Sequence, residues 1–187
     1  MRISPEVIAV VVGAVVMIWI VTCFNGLVAL RTRVQNAWAE IDVQLKRRHD
    51  LVPNLVEAVH GYMQHERSTL EALTQARTQA MAAANGNVQE RSEAESALTG
   101  ALGNLFAVAE GYPQLRAVES VQLLQEQLTS TENRIAFARQ FYNDEVMKYN
   151  TTQSTFPRNL IARPLGFAPA AMFAVANNER ANVQVQI

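Results

Sequence analysis

The sequence predicts an all-α protein: an N-terminal transmembrane helix continuing into an elongated antiparallel bundle of about four helices. Three observations predict it. Residues 7–30 contain no charged side chain. Two long stretches repeat apolar residues at alternating spacings of four and three. Glycine and proline are scarce, eight and six in 187 residues, and half of them fall at Gly86, at Gly111–Pro113 and toward the C-terminus. That distribution leaves long helices separated by short turns.

The first helix starts at a well-marked boundary. Ser4 suits the capping position, Pro5 the first helical position and Glu6 the positive end of the helix dipole. From Val7 to Leu30 the run is 24 residues long. At ~1.5 Å per residue it reaches about 36 Å, more than the ~30 Å of a hydrocarbon core. Asn25 and Gly26 fall near the far interface. A cleaved signal peptide would have a shorter apolar core. Ile20-Val21-Thr22-Cys23 faintly resembles a lipoprotein processing site, but Thr22 replaces the expected small residue and the apolar run continues to Leu30. Cys23 therefore reads as a small lipid-facing or interface side chain. Arg2 alone precedes the span, whereas Arg31, Arg33, Lys46, Arg47 and Arg48 follow it. The positive-inside rule then places the larger part of the chain in the cytoplasm. The expected organisation is a short N-terminus (1–6), the span (7–30), a helical bundle (31–155) and an apolar, proline-containing segment (156–187).

No breaker follows the span before Pro53. Val34, Trp38, Ile41, Leu45, Arg48, Val52, Leu55, Val59 and Tyr62 form a heptad seam with Arg48 as its one charged member. Pro53 lacks the amide proton a helix interior needs and should kink or divide this helix, and Gly61 marks a later break. A second helix runs from about Glu66 to Ala84, with Leu70, Leu73, Ala76, Ala80 and Met81 on its apolar side. Asn85-Gly86-Asn87 reads as a turn. Asn87 and Glu90 have the spacing of a capping box for a third helix, lined by Leu98, Leu102, Leu105 and Ala109. Gly111-Tyr112-Pro113 ends it. The fourth helix carries a seam of Val121, Leu124, Leu128, Thr131, Ile135, Ala138, Tyr142, Val146 and Tyr149, which Phe137 and Phe141 widen. Short connections between such helices imply a bundle.

After Phe156 three prolines forbid a long helix. Phe156, Leu160, Ile161, Leu165, Phe167, Met172, Phe173 and Val175 are nonetheless too apolar for a disordered tail. They need the bundle, a neighbouring subunit or a membrane surface, and six of them (Phe156, Leu160, Ile161, Leu165, Phe167 and Phe173) mark an interaction segment. Val183 to Ile187 alternates with period two, which suits a strand added to something else, but so short an end reads rather as loosely ordered.

The run Asn36-Ala37-Trp38-Ala39-Glu40-Ile41-Asp42, continuing through Arg47, Arg48, His49, Asp50, Leu51, Val52, Pro53, Asn54 and Leu55 to Glu57, closely resembles the signature of the LemA family. Later motifs of that family resemble Gly61-Tyr62, His65-Glu66, Ala76-Arg77, Glu110-Gly111-Tyr112-Pro113 and Thr131-Glu132-Asn133-Arg134-Ile135. Arg139 to Asn143 (including Tyr142), Val146, Tyr149-Asn150 and Phe156-Pro157 complete the series, in order. The resemblance implies a bacterial inner-membrane protein with one span and a helical bundle. It supplies no catalytic residues. The roles it implies are membrane organisation, with one branch tied to magnetosome membranes, and loose links to signalling.

The remaining constellations favour structure over chemistry. His60 and His65 are five apart, whereas a helical zinc pair needs four. Glu57-x-x-His60 occurs once, and a di-iron bundle needs two such motifs. No cofactor is expected. The cluster Lys46-Arg47-Arg48-His49, with Asp42 and Asp50 nearby, is suited to anionic lipid or a partner's acidic patch, but reads rather as a set of ion pairs within and between helices. Arg48 on the seam demands a carboxylate from another helix, with Glu110, Glu132 and Glu145 as candidates. A net charge of −1 lacks the basic footprint of a nucleic-acid binder. One cysteine cannot form an internal disulfide. The expectation is a non-enzymatic scaffold of the inner membrane that contacts the lipid bilayer and forms a homo-oligomer. The alternative is a monomeric adaptor for membrane-protein, signalling or quality-control partners of unknown identity.

Overall fold

The structure, a computed structural model, describes residues 4–173, the side chain of Arg116 excepted. Arg2, Val175 and the alternating end Val183–Ile187 lie outside the described residues. Five α-helices occur among the described residues: α1 (Pro5–His60), α2 (Arg67–Ala82), α3 (Val88–Ala109), α4 (Glu119–Ser154) and the short α5 (Asn159–Ala162). Two 3₁₀ turns, Ala83–Asn85 and Pro113–Ala117, lie before α3 and α4. The described chain divides into two compact units. One comprises residues 4–39 and 141–172, the other 40–140 and Phe173.

In the second unit the core is built mainly from the expected seams. Val52, Leu55 and Val59 of the α1 seam, with Leu51 beside them, join Leu70, Leu73, Ala76 and Ala80 of α2. Leu98, Leu102 and Leu105 of α3 and Val121 and Leu128 of α4 complete it. The turn between α2 and α3 ends in the capping box the sequence announces. Asn87 Oδ1 accepts from the Glu90 amide at 2.9 Å, and Glu90 Oε2 accepts from the Asn87 amide at 3.3 Å. Two of the four orphan amides at the start of α3 are thereby satisfied.

Several expectations need correction. Pro53 does not divide the first helix, because α1 continues to His60. The carbonyl four residues before it, on His49, instead accepts from Arg77 Nε at 2.8 Å. A side chain of α2 thus replaces the amide proton that proline lacks. Tyr62 leaves the seam and is 45% exposed, while Met63 is fully buried. The helix has ended by then, so helical spacing no longer predicts the inward residue. Met81 is exposed next to the buried Ala80. Leu124 and Ala109 are only half-buried. Phe137 and Phe141 do not widen the buried stripe: both are exposed. At ~100° per residue Phe137 lies about 200° from Ile135, so it points away from the core line.

In the first unit almost every side chain from Val7 to Phe24 is exposed, as an apolar span without its lipid would be. Cys23 and Leu27 are the buried exceptions, one turn apart on a single face. Cys23 is therefore not lipid-facing. Phe24 meets Phe167 edge to face with ring centroids 5.6 Å apart. The segment that brings Phe167 there is closed by Gly166, whose φ of 78° is left-handed. The Phe167 amide bonds the Ala162 carbonyl at 3.0 Å, and the Gly166 amide bonds that of Arg163 at 3.1 Å. This is the pattern of a Schellman motif, in which glycine avoids the Cβ penalty.

Candidate functional site

The densest polar arrangement lies inside the second unit, around Arg48. Its guanidinium is fully buried on the seam of α1. Nη2 pairs with a carboxylate oxygen of Glu95 on α3, also fully buried. Nη1 pairs with Glu132 Oε1 of α4 at 2.5 Å and donates to Thr99 Oγ1 at 2.8 Å. His49 Nε2 lies 3.0 Å from Glu95 Oε1. Burial pushes the Glu95 carboxyl up, but the hydrogen bond to His49 and the charge of Arg48 outweigh it and hold the group below its ordinary value. Nearly two turns earlier on α1, Asp42 pairs with Arg91 of α3 at 2.5 Å. Three helices thus exchange charge through two layers of opposite polarity.

Of the three candidate partners for Arg48, Glu132 is correct. Glu145 instead pairs with Lys148 at 2.7 Å on its own helix, and Glu110 is exposed. Glu95 was missed, although a signal existed. Arg91, Glu95, Leu98, Leu102 and Leu105 keep the four-three spacing, so the α3 seam simply turns charged at its N-terminal end. The basic cluster splits accordingly: Arg48 and His49 turn inward, while Lys46, Arg47 and the neighbouring Asp50 are exposed.

The other signature residues divide between the units. In the second, Leu55 and Ile135 are buried in the packing, whereas Pro53, Asn54, Arg134, Pro113 and Tyr62 are exposed. Tyr112 donates to Glu66 Oε1 at 3.0 Å, and that bond raises the phenol's pKa. Phe173 is buried under the Arg139 guanidinium, whose carbon lies 4.7 Å from the ring centroid. In the first unit Trp38 packs on Tyr142 with centroids 5.2 Å apart, and Asn143 is half-buried. Tyr142, Tyr149 and Asn150 fasten an irregular strap of residues 167–172. Tyr142 donates to the Ala171 carbonyl at 2.8 Å and Tyr149 to that of Ala168 at 3.0 Å. Asn150 bonds both the amide and the carbonyl of Ala170 at 2.9 Å. The spacing explains the fit. Seven helical residues rise about 10.5 Å, and three nearly extended ones reach about 10 Å. The tyrosines therefore meet carbonyls three apart on a chain running the other way.

Of the interaction segment, Phe167 is buried, Ile161 half-buried, and Phe156, Leu160 and Leu165 remain exposed. Among the described residues no group of three or more His, Cys, Asp or Glu side chains is placed to hold a metal ion. The Arg48 cluster has its charges engaged with one another, an arrangement suited to fixing helix register.

An apolar first helix long enough to cross a membrane, followed by a helical bundle locked by interior ion pairs, defines a membrane-associated all-α protein. The profile of the LemA family matches residues 37–187, and the chain belongs to that family. It is similar to magnetosome protein MamQ 2 of Paramagnetospirillum magneticum, 25% identical over 174 residues, covering 80% of this chain and 64% of that protein. It is also similar to Protein LemA of Metamycoplasma hominis, 27% identical over 161 residues, covering 85% of this chain and 72% of that one. Magnetosome protein MamQ of Magnetospirillum gryphiswaldense is 24% identical, again with 80% and 64% covered. The chain thus spans 64% of the length of these magnetosome relatives.

Proposed function

We propose that this protein is a non-enzymatic, membrane-anchored helical scaffold that self-assembles and organises or shapes the bacterial inner membrane, with its bundle in the cytoplasm. The observation that carries the reading is the outer face of α4 in the second unit. Phe137 there is 73% exposed and Leu123, two heptads earlier, 53% exposed. Two large apolar side chains left bare on one face of a folded bundle are suited to a second copy of the same helix. The relatives named as magnetosome proteins support a role in organising membrane.

A second reading is a monomeric adaptor for signalling or quality-control partners. It is favoured by an open cavity of about 780 Å³ beside α1 and α2, lined by Val56, His60, Met63, Arg67, Leu70 and Thr74 among others. Native mass spectrometry of the full chain released from mild detergent separates the two. The scaffold reading expects a discrete multiple of 20.7 kDa that Phe137→Asp reduces to the protomer without loss of helicity. A protomer from the unaltered chain overturns it in favour of the adaptor.

A further inference from the structure

We propose that the turn formed by residues 156–166 is a second membrane-contacting element, seated in the interfacial layer of an anionic leaflet beside the α1 span. Within the first unit the turn leads directly into Phe167, whose ring packs on Phe24. Cys23 and Leu27 are buried where nearly all of the preceding span is exposed, so close packing against α1 begins at this level. Twenty helical residues cover about 30 Å, the thickness of a hydrocarbon core, so a span beginning at Val7 emerges near Gly26. A turn whose end packs on Phe24 therefore sits at the edge of the hydrocarbon, not in bulk water.

The side chains suit that place. Phe156 is 74% exposed, Leu160 63% and Leu165 47%, an apolar set that the unit itself leaves uncovered. Arg158 and Arg163 alternate with them and are exposed, and Arg31 and Arg33 lie just beyond the span on α1. No aspartate or glutamate occurs between residues 7 and 39 or between 146 and 173. Apolar tips flanked by arginines, with acids absent, match the acyl boundary and phosphate layer of an anionic membrane. A protein partner of ordinary mixed charge is matched less well. The proposal requires α1 to cross the bilayer but does not require self-assembly.

The test uses the full chain in nanodiscs holding one copy each, with Cys23→Ala and an environment-sensitive fluorophore at one introduced cysteine. Leu160→Cys reports the turn, Ile18→Cys the span and Val43→Cys the exposed surface of the second unit. Lipids carrying a nitroxide just below the headgroup supply the quencher. The expected result is that the Leu160 label loses most of its emission, as a membrane-embedded label does, while the Val43 label keeps its own. The proposal is overturned if the Leu160 label behaves like that at Val43 while the Ile18 label responds to nitroxides placed deeper in the acyl chains. If the Ile18 label does not respond, the span itself is wrong and the proposal falls with it. Exchanging phosphatidylcholine for a mixture with phosphatidylglycerol should increase quenching at Leu160, and Arg158→Gln with Arg163→Gln should abolish that increase. Equal quenching in both lipids refutes the anionic preference.

Discussion

Glu95 sits where a guanidinium and an imidazole converge, and all three side chains are buried. Such a group is worth more as a necessity than as a gain. Removing it leaves Arg48 charged in the interior with only Glu132 to answer it, and Glu132 is one-third exposed. Breaking a buried pair in this way costs about 3–5 kcal/mol. Glu95→Ala should therefore lower the unfolding free energy of the full chain in detergent by that amount, measured by urea titration. Glu132→Ala should cost less, because water can partly replace a carboxylate at that edge. A loss below about 1 kcal/mol for Glu95→Ala, the range of a surface pair, would show that the interior pair is not holding the bundle.

At the scale of the helix, Pro53 and Arg77 form one device. Arg77→Ala strands the His49 carbonyl inside α1 and should cost about 1–3 kcal/mol, the penalty for an unsatisfied buried acceptor. Pro53→Ala restores the local amide donor, so it should cancel most of that loss in the double variant. A double-mutant cycle on unfolding free energy checks it, and strict additivity of the two changes would refute the coupling. The same device shows where sequence reading stops. The span, the heptad seams and the Asn87–Glu90 box were legible because each depends on residues within a turn or on simple periodicity. The uninterrupted course of α1 past Pro53 was not, since its remedy comes from a residue 28 positions after the carbonyl it satisfies. Arg48 announced its need for a carboxylate, and Glu132 was among the answers. Glu95 is harder to read, because at its N-terminal end the α3 seam exchanges apolar residues for charged ones. The strap was illegible for a similar reason: Tyr142, Tyr149 and Asn150 bond backbone atoms of alanines, which carry no side-chain signature.

For the whole molecule, the lowered carboxyl of Glu95 sets the direction of its acid sensitivity. The unfolded chain takes up the proton near 4.5, the folded one only at lower pH, so acid favours unfolding in between. The contribution of Glu95 is complete above that value and is lost as pH falls through its lowered one. Denaturant titrations across this range should show stability rising with pH, and Glu95→Gln should flatten the rise. The cluster also carries a timing consequence. Glu95 follows Arg48 by 47 residues and Glu132 by 84. At a synthesis rate of about 5–20 residues per second, Glu132 is added roughly 4–17 s after Arg48. Throughout that interval Arg48 lacks its full set of counter-charges and resists leaving water, so the nascent seam of α1 is kept hydrated at its centre. The greasy stripe emerging behind the span is thereby discouraged from collapsing onto the wrong surface before the last strut of its own bundle has left the ribosome.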